Sequence, residues 1–208
     1  MAKLTDLRPE VLPHVSGCPA VMVDDAILKT VIDFCNRSRA YRFSPDAIAV
    51  SSGVADYDPD LPNDSAIAWL LAATLDGSDL DVAQIGSALL IDDGSVGTPS
   101  KAIVVSDAEI GLRSAPSASG TLKLSLALRP SKTARTYPDE LHVLYQEHIA
   151  AGVLAKLWSQ PNQPWSSAGM VQDARERYES GISLAEYRAD RSSSSTPPRT
   201  ALSLIGGR

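Results

Sequence analysis

Cysteine, histidine, aromatic residues and long apolar runs are all scarce in this chain of 208 residues, and each scarcity removes a class of function. Only Cys18 and Cys35 carry thiols. One sits in a Gly-Cys-Pro turn and the other in a helical pattern, and neither belongs to a CxxC, so the pair reads as reduced and structural rather than as a disulfide framework. His142 and His148 are six apart on one expected helix, turned about 240° from each other, so they cannot share a metal as an i, i+4 pair does. His148 falls on an apolar stripe and reads as a hydrogen-bonded core histidine, while His14 stands alone. An aromatic share of 5%, with Trp69 the sole tryptophan of the central region, weighs against glycan recognition. No apolar run approaches the roughly 20 residues that cross a bilayer. Met1-Ala-Lys-Leu-Thr-Asp6 lacks the apolar centre of a secretory leader, so folding in a cytoplasm with no membrane partner is expected.

Basic residues are also missing from one long stretch. Between Asp46 and Ile110 twelve carboxylates face Lys101 alone, a balance of −11 in a chain of net charge −6, which leaves +5 to the remainder. Such a segment repels a nucleic-acid backbone rather than gripping it, and it also keeps a small domain in solution.

What is present is pattern. Residues 1–22, with Pro9, Pro13 and Pro19, read as an N-terminal arm without regular helix. A first helix over 23–42 is capped by Asp24 or Asp25 and buries Ile27, Leu28, Val31, Phe34 and Cys35 at helical spacing. Its end carries Arg37, Arg39 and Arg42. These suit the negative end of the helix dipole and are also candidate subunit-interface residues, together with Trp165. From 43 to 135 the pattern changes to short segments split by turns, a β-rich acidic insertion. Thr121–Arg129 alternates Leu122, Leu124, Leu126 and Leu128 with other residues, placing all four leucines on one face. Lys101–Val105 is a second strand. Residues 66–75 fit either a helix capped by Asp64 or a strand; the strand is preferred because Asp76-Gly77, a type I′ turn signal, follows at once.

Tyr137-Pro-Asp-Glu140 opens a second helix whose stripe runs from Leu141 to Leu157, with Gly152 and its neighbouring alanines allowing close approach. Gln160-Pro-Asn-Gln-Pro-Trp165 breaks it. A third helix buries Val171, Ala174, Tyr178, Ile182, Ala185 and Ala189. The expected fold is therefore α+β: a three-helix bundle (23–42 and 136–190) with a β-rich insertion between helix one and a C-terminal helical hairpin, then an extended tail over 191–208. That tail joins a Ser-Thr-Pro spacer to Ala201-Leu-Ser-Leu-Ile205, and a polar spacer ending in apolar residues reads as a part made to insert into a partner, set against the plainer reading of a disordered end.

Chemistry is thin. Gly94-Ser-Val-Gly-Thr-Pro-Ser-Lys101 fails as a phosphate loop, since no glycine directly precedes the lysine, Pro99 removes an N–H, and a strand follows. Asp92-Asp93-Gly94 has no downstream ligand for a calcium loop. No Gly-x-Ser-x-Gly elbow occurs. No catalytic residue, metal ligand or cofactor is assigned.

Leu12-Pro-His-Val-Ser-Gly-Cys-Pro19, Phe34-Cys-Asn-Arg37, Leu75-Asp-Gly77, Gly97-Thr-Pro99, Gly120-Thr-Leu122, Leu128-Arg-Pro-Ser131, Ile149-Ala-Ala-Gly-Val-Leu-Ala-Lys-Leu157 and Pro161-Asn-Gln-Pro-Trp165 span nearly the whole chain. In that order and spacing the chain resembles the head-to-tail adaptor (connector) proteins of tailed bacteriophages. The Asp- and Ala-rich insertion departs from that pattern. The resemblance implies a non-enzymatic virion protein in the neck, assembled in the host cytoplasm as a dodecameric homo-oligomer ring below the portal protein. It further implies a channel for double-stranded DNA without sequence-specific binding, and a downstream tail or nozzle protein as partner. Under it Arg199, Leu202, Leu204 and Ile205 anchor the tail to the portal. Two other readings stand beside it: a neck or tail-completion ring that does not touch the portal, and a small binding module in which the β-rich region does the work.

Overall fold

The computed structural model of the chain describes residues 1–84 and 95–193. Its first part comprises β1 (Ala2–Lys3), a 3-10 turn (Leu4–Leu7), α1 (Arg8–Val11), a second 3-10 turn (Leu12–His14) and α2 (Ala20–Ser38). Then follow β2 (Arg42–Phe43), β3 (Ile48–Val50), β4 (Asp56–Tyr57), β5 (Ser65–Leu75), β6 (Ser78–Ala83), β7 (Val96–Gly97), β8 (Lys101–Val104), β9 (Ile110–Arg113), β10 (Ala115–Pro116), β11 (Gly120–Pro130) and β12 (Thr136–Tyr137). Helices α3 (Asp139–Trp158) and α4 (Ala168–Ser193) complete the described chain.

The axis of the sheet is the antiparallel pair β5 and β11, which runs from Leu75 opposite Leu122 to Ser65 opposite Pro130. Asp76 and Gly77 both take positive φ, 50° and 84°, which is what a two-residue type I′ turn requires, so β6 folds straight back on β5. The Asp76 carboxylate also accepts the Thr121 N–H at 2.7 Å, fastening the turn to β11. A Cβ at Gly120 would collide with that carboxylate, so any larger residue there would have to displace it. From this pair the sheet extends along the path β2-β11-β5-β6-β8-β9-β4, with β3 beside β2 on the outer edge of β11, and it curls. β6 and β8 pair in parallel; the other pairings of this sheet are antiparallel.

Leu122, Leu124, Leu126 and Leu128 are all buried, as period two demands, and they share a core with Ile67, Leu70, Ala102, Val104, Ile110 and Leu112. Each such leucine contributes about 1.5–3 kcal/mol when fully buried. Ala127, on the opposite face of β11, is buried as well, because α2 lies against that face. The register between β5 and β11 slips twice, skipping Ala68 and Leu71 on β5. These two bulges turn the inward positions of β5 into steps of three: Ile67, Leu70 and Ala73. Where β6 no longer pairs with β5, the Gln84 side chain takes over, accepting from Leu70 N at 3.0 Å and donating to Leu70 O at 2.8 Å.

A second core joins α2, α3 and α4, with Ile27, Val31, Phe34, Tyr145, Ile149, Val153, Tyr178 and Ile182 in contact. α3 and α4 run antiparallel, since Tyr145 lies near Arg188, His148 near Gly181 and Gly152 near Tyr178.

Two expectations are corrected here. The chain is not a three-helix bundle with a helical hairpin that carries a β-rich insertion; the curled sheet is the body of the fold, α2 packs on it, and α3 and α4 pack on α2. The physical reason is that 43–135 supplies its own apolar core and the two longest paired strands, while α2 rests on β11 and Trp69 Nε1 donates to the Asn36 carbonyl at 2.8 Å. The first 22 residues are likewise not an irregular arm. Leu4, Leu7, Val11 and Val15 are buried, β1 pairs with β12, and the prolines sit in first-turn or N-cap positions, where a missing N–H costs nothing. Pro19 caps α2, which therefore begins at Ala20, ahead of Asp24 and Asp25.

Candidate functional site

The three arginines expected at the end of the first helix are placed by three different devices. Arg37, in the last turn of α2, forms a two-pronged pair with Glu179 of α4, one prong at 2.8 Å, and lies 3.8 Å from Asp33. Those hydrogen bonds raise the Arg37 pKa and hold the Glu179 carboxyl below the ordinary range. Arg39 takes the left-handed conformation, φ 52°, that ends α2, and its guanidinium stacks 4.4 Å over the Trp69 ring. Arg42, in β2, reaches Asp190 of α4 at 3.1 Å, while its buried Nε has no hydrogen-bond partner among the described residues. Arg37 and Arg42 thus brace α4, and Arg39 faces the sheet.

Trp165 is 8% exposed in the connection between α3 and α4 and donates to Gln160 Oε1 at 3.1 Å. It is a core residue of its own chain. Arg199, Leu202, Leu204 and Ile205 lie outside the described residues, as does Asp92-Asp93-Gly94.

The interior between the helices is closely fitted. Tyr178 donates to the Asp33 carboxylate at 2.8 Å and to the Thr30 carbonyl at 3.2 Å, and burial with this carboxylate beside it pushes the phenol pKa far up. A Cβ on Gly152 would stand 2.5 Å from the Tyr178 ring and 2.8 Å from Thr30 Cγ2. His148 Nδ1 lies 3.0 Å from the Arg177 carbonyl, and His142 Nδ1 lies 2.5 Å from the Tyr137 hydroxyl. Both histidines are in use within the fold.

Outward, α3 carries two adjacent apolar side chains among Asp139, Glu140, Gln146 and Glu147. Val143 is 73% exposed and Leu144 is also exposed, while Leu141, Tyr145 and Ile149 of the same helix are buried. On α4, Leu184 and Tyr187 stand one turn apart and are exposed.

Sequence reasoning missed one feature altogether, a groove of about 640 Å³ walled by Lys3, Leu4, Val21, Leu28, Ala134 and Arg135, with Asp24 and Asp25 at its side. Its only signal in the sequence is a second stripe on α2, with Val21, Asp24 or Asp25, and Leu28 at i, i+3/i+4, i+7. The other walls come from the first turn and from the loop before β12.

No protein-family model matches the chain, and no curated protein matches it.

Proposed function

We propose that the chain is a ring-forming head-to-tail adaptor of a tailed-phage virion, seated between the portal and a downstream tail protein. The observation that carries this reading is the exposed pair Val143 and Leu144 on α3. Leu141, Tyr145 and Ile149 bury one side of this helix within the chain, and Val143 and Leu144 stand side by side outside it, where a neighbouring copy would cover them. In a ring each copy offers one face to the next, and such repeated contacts close by rotation. The motif order along the sequence supports the same reading.

In this account the helices, braced by Arg37 and Arg42, form the ring contact, and the acidic region from Asp46 to Ile110 gives DNA no purchase as it passes. The segment with Arg199, Leu202, Leu204 and Ile205 anchors each copy to the portal, meeting its ordering cost on binding. The protein belongs to the virion neck and carries out no catalysis.

Val143→Asp combined with Leu144→Asp tests the reading. Both side chains are exposed, so the monomer should keep its circular dichroism and melting temperature, yet it should fail to form rings when mixed with its own portal. Rings formed as readily as by the unsubstituted chain would remove α3 from the interface and with it the main support for this function.

A further inference from the structure

The groove beside α2 has apolar walls and an uneven charge. Asp24 is held by Arg8 at 2.5 Å and Asp25 by Lys29 at 2.8 Å, so both acids at its side are neutralised from within the chain. Lys3 and Arg135 also line it, and among the described residues neither enters an ion pair. Val21 is the most exposed large apolar side chain of the described residues, at 79%, and it stands on the groove wall. The occupant that suits these walls is apolar and acidic. A volume of about 640 Å³ suits a few side chains of an extended segment rather than a whole helix.

Two segments of the chain outside the described residues are apolar enough. Ala201-Leu-Ser-Leu-Ile205 is flanked by Arg199 and Arg208, charges that Lys3 and Arg135 oppose. Ala88-Leu-Leu-Ile91 is followed at once by Asp92-Asp93, charges that they attract. We propose that the groove of one copy receives the segment 88–93 of the neighbouring copy, its apolar residues against Val21, Leu28, Leu4 and Ala134 and its aspartates at Lys3 and Arg135. This rests on the ring reading, and it supplies a head-to-tail contact between unlike surfaces, the kind that closes a ring.

A fluorescein-labelled peptide of residues 85–94, titrated into the full chain and followed by anisotropy, tests the proposal. Saturable binding is expected. Val21→Asp, at a side chain outside the core, should weaken it at least about tenfold by placing a charge among apolar groups. Lys3→Glu with Arg135→Glu should weaken it too, and a peptide carrying Asp92→Lys and Asp93→Lys should restore binding to that variant. Absence of binding, indifference to Val21→Asp, or equally tight binding of a 197–208 peptide would each overturn the assignment. So would peptide binding about tenfold tighter in a chain carrying Leu89→Asp and Leu90→Asp, because its own segment would then be the occupant. Ring formation on the portal is scored separately: rings without peptide binding overturn the groove assignment alone, whereas peptide binding without rings upholds it and removes the connector reading.

Discussion

Asp64 bears on how a single side chain ties together distant parts of this chain. It sits at φ 62° just before β5, and its carboxylate accepts from Arg135 N at 3.1 Å and from Thr136 Oγ1 at 3.0 Å, so it clamps the loop before β12 to the start of the sheet axis. The Arg135 N–H, with the Thr136 hydroxyl next, holds the carboxyl pKa below its ordinary value. A depressed folded-state pKa contributes stability above the unfolded value, about 3.9, that is lost as pH falls through the folded one. Asp64→Asn should therefore melt lower than the unsubstituted chain near neutral pH, with the gap narrowing as pH falls below about 4; a gap that does not change with pH would contradict this role. From the sequence Asp64 had been the cap of a possible helix, because its true partners are some 70 residues away. The thiols separate equally clearly. Burial pushes Cys35 up to about 12, whereas Cys18 is only partly buried. Under native conditions a thiol reagent should label Cys18 and spare Cys35 until the chain unfolds, and equal labelling rates would place Cys35 outside the core.

At the scale of elements, Gly152 decides how closely α3, α4 and α2 approach. Gly152→Val drives methyl groups into Tyr178 and Thr30 and should cost about 1–3 kcal/mol in urea unfolding, whereas no loss would mean that the helices can part freely. The need for a small residue at Gly152 was legible in the sequence, as were β11, from its alternating leucines, and the hairpin at Asp76-Gly77. β5 was legible only through that turn. Its two bulges bury Ile67, Leu70 and Ala73 at steps of three, a spacing that copies a helix face and made the segment ambiguous. The N-terminal helices were hidden because prolines, read as breakers, serve here at helix starts. The weight of the fold was misjudged for a related reason. Helical periodicity runs through long segments and is easy to see, whereas a curled sheet is built from short strands whose pairings cannot be read from spacing.

For the whole molecule, the candidate interface residues were visible but their contacts within the chain were not. Arg37 and Arg42 stood out as cations at a helix end, yet Glu179 and Asp190, which they bind, come from a helix more than 140 residues on. The groove had no reading at all, since its walls come from three separate segments. What remains for partners is the outer face of α3 and α4, the groove and the two segments outside the described residues. The account makes these the contacts of a ring, so its most direct test is a cryo-EM map of the purified full chain bound to its own portal. It predicts a closed ring of copies below the portal, dodecameric by the resemblance, with Val143 and Leu144 of each copy against a neighbour and the C-terminal segment on the portal. A portal left bare at saturating protein, or single copies bound without contact between them, would contradict it.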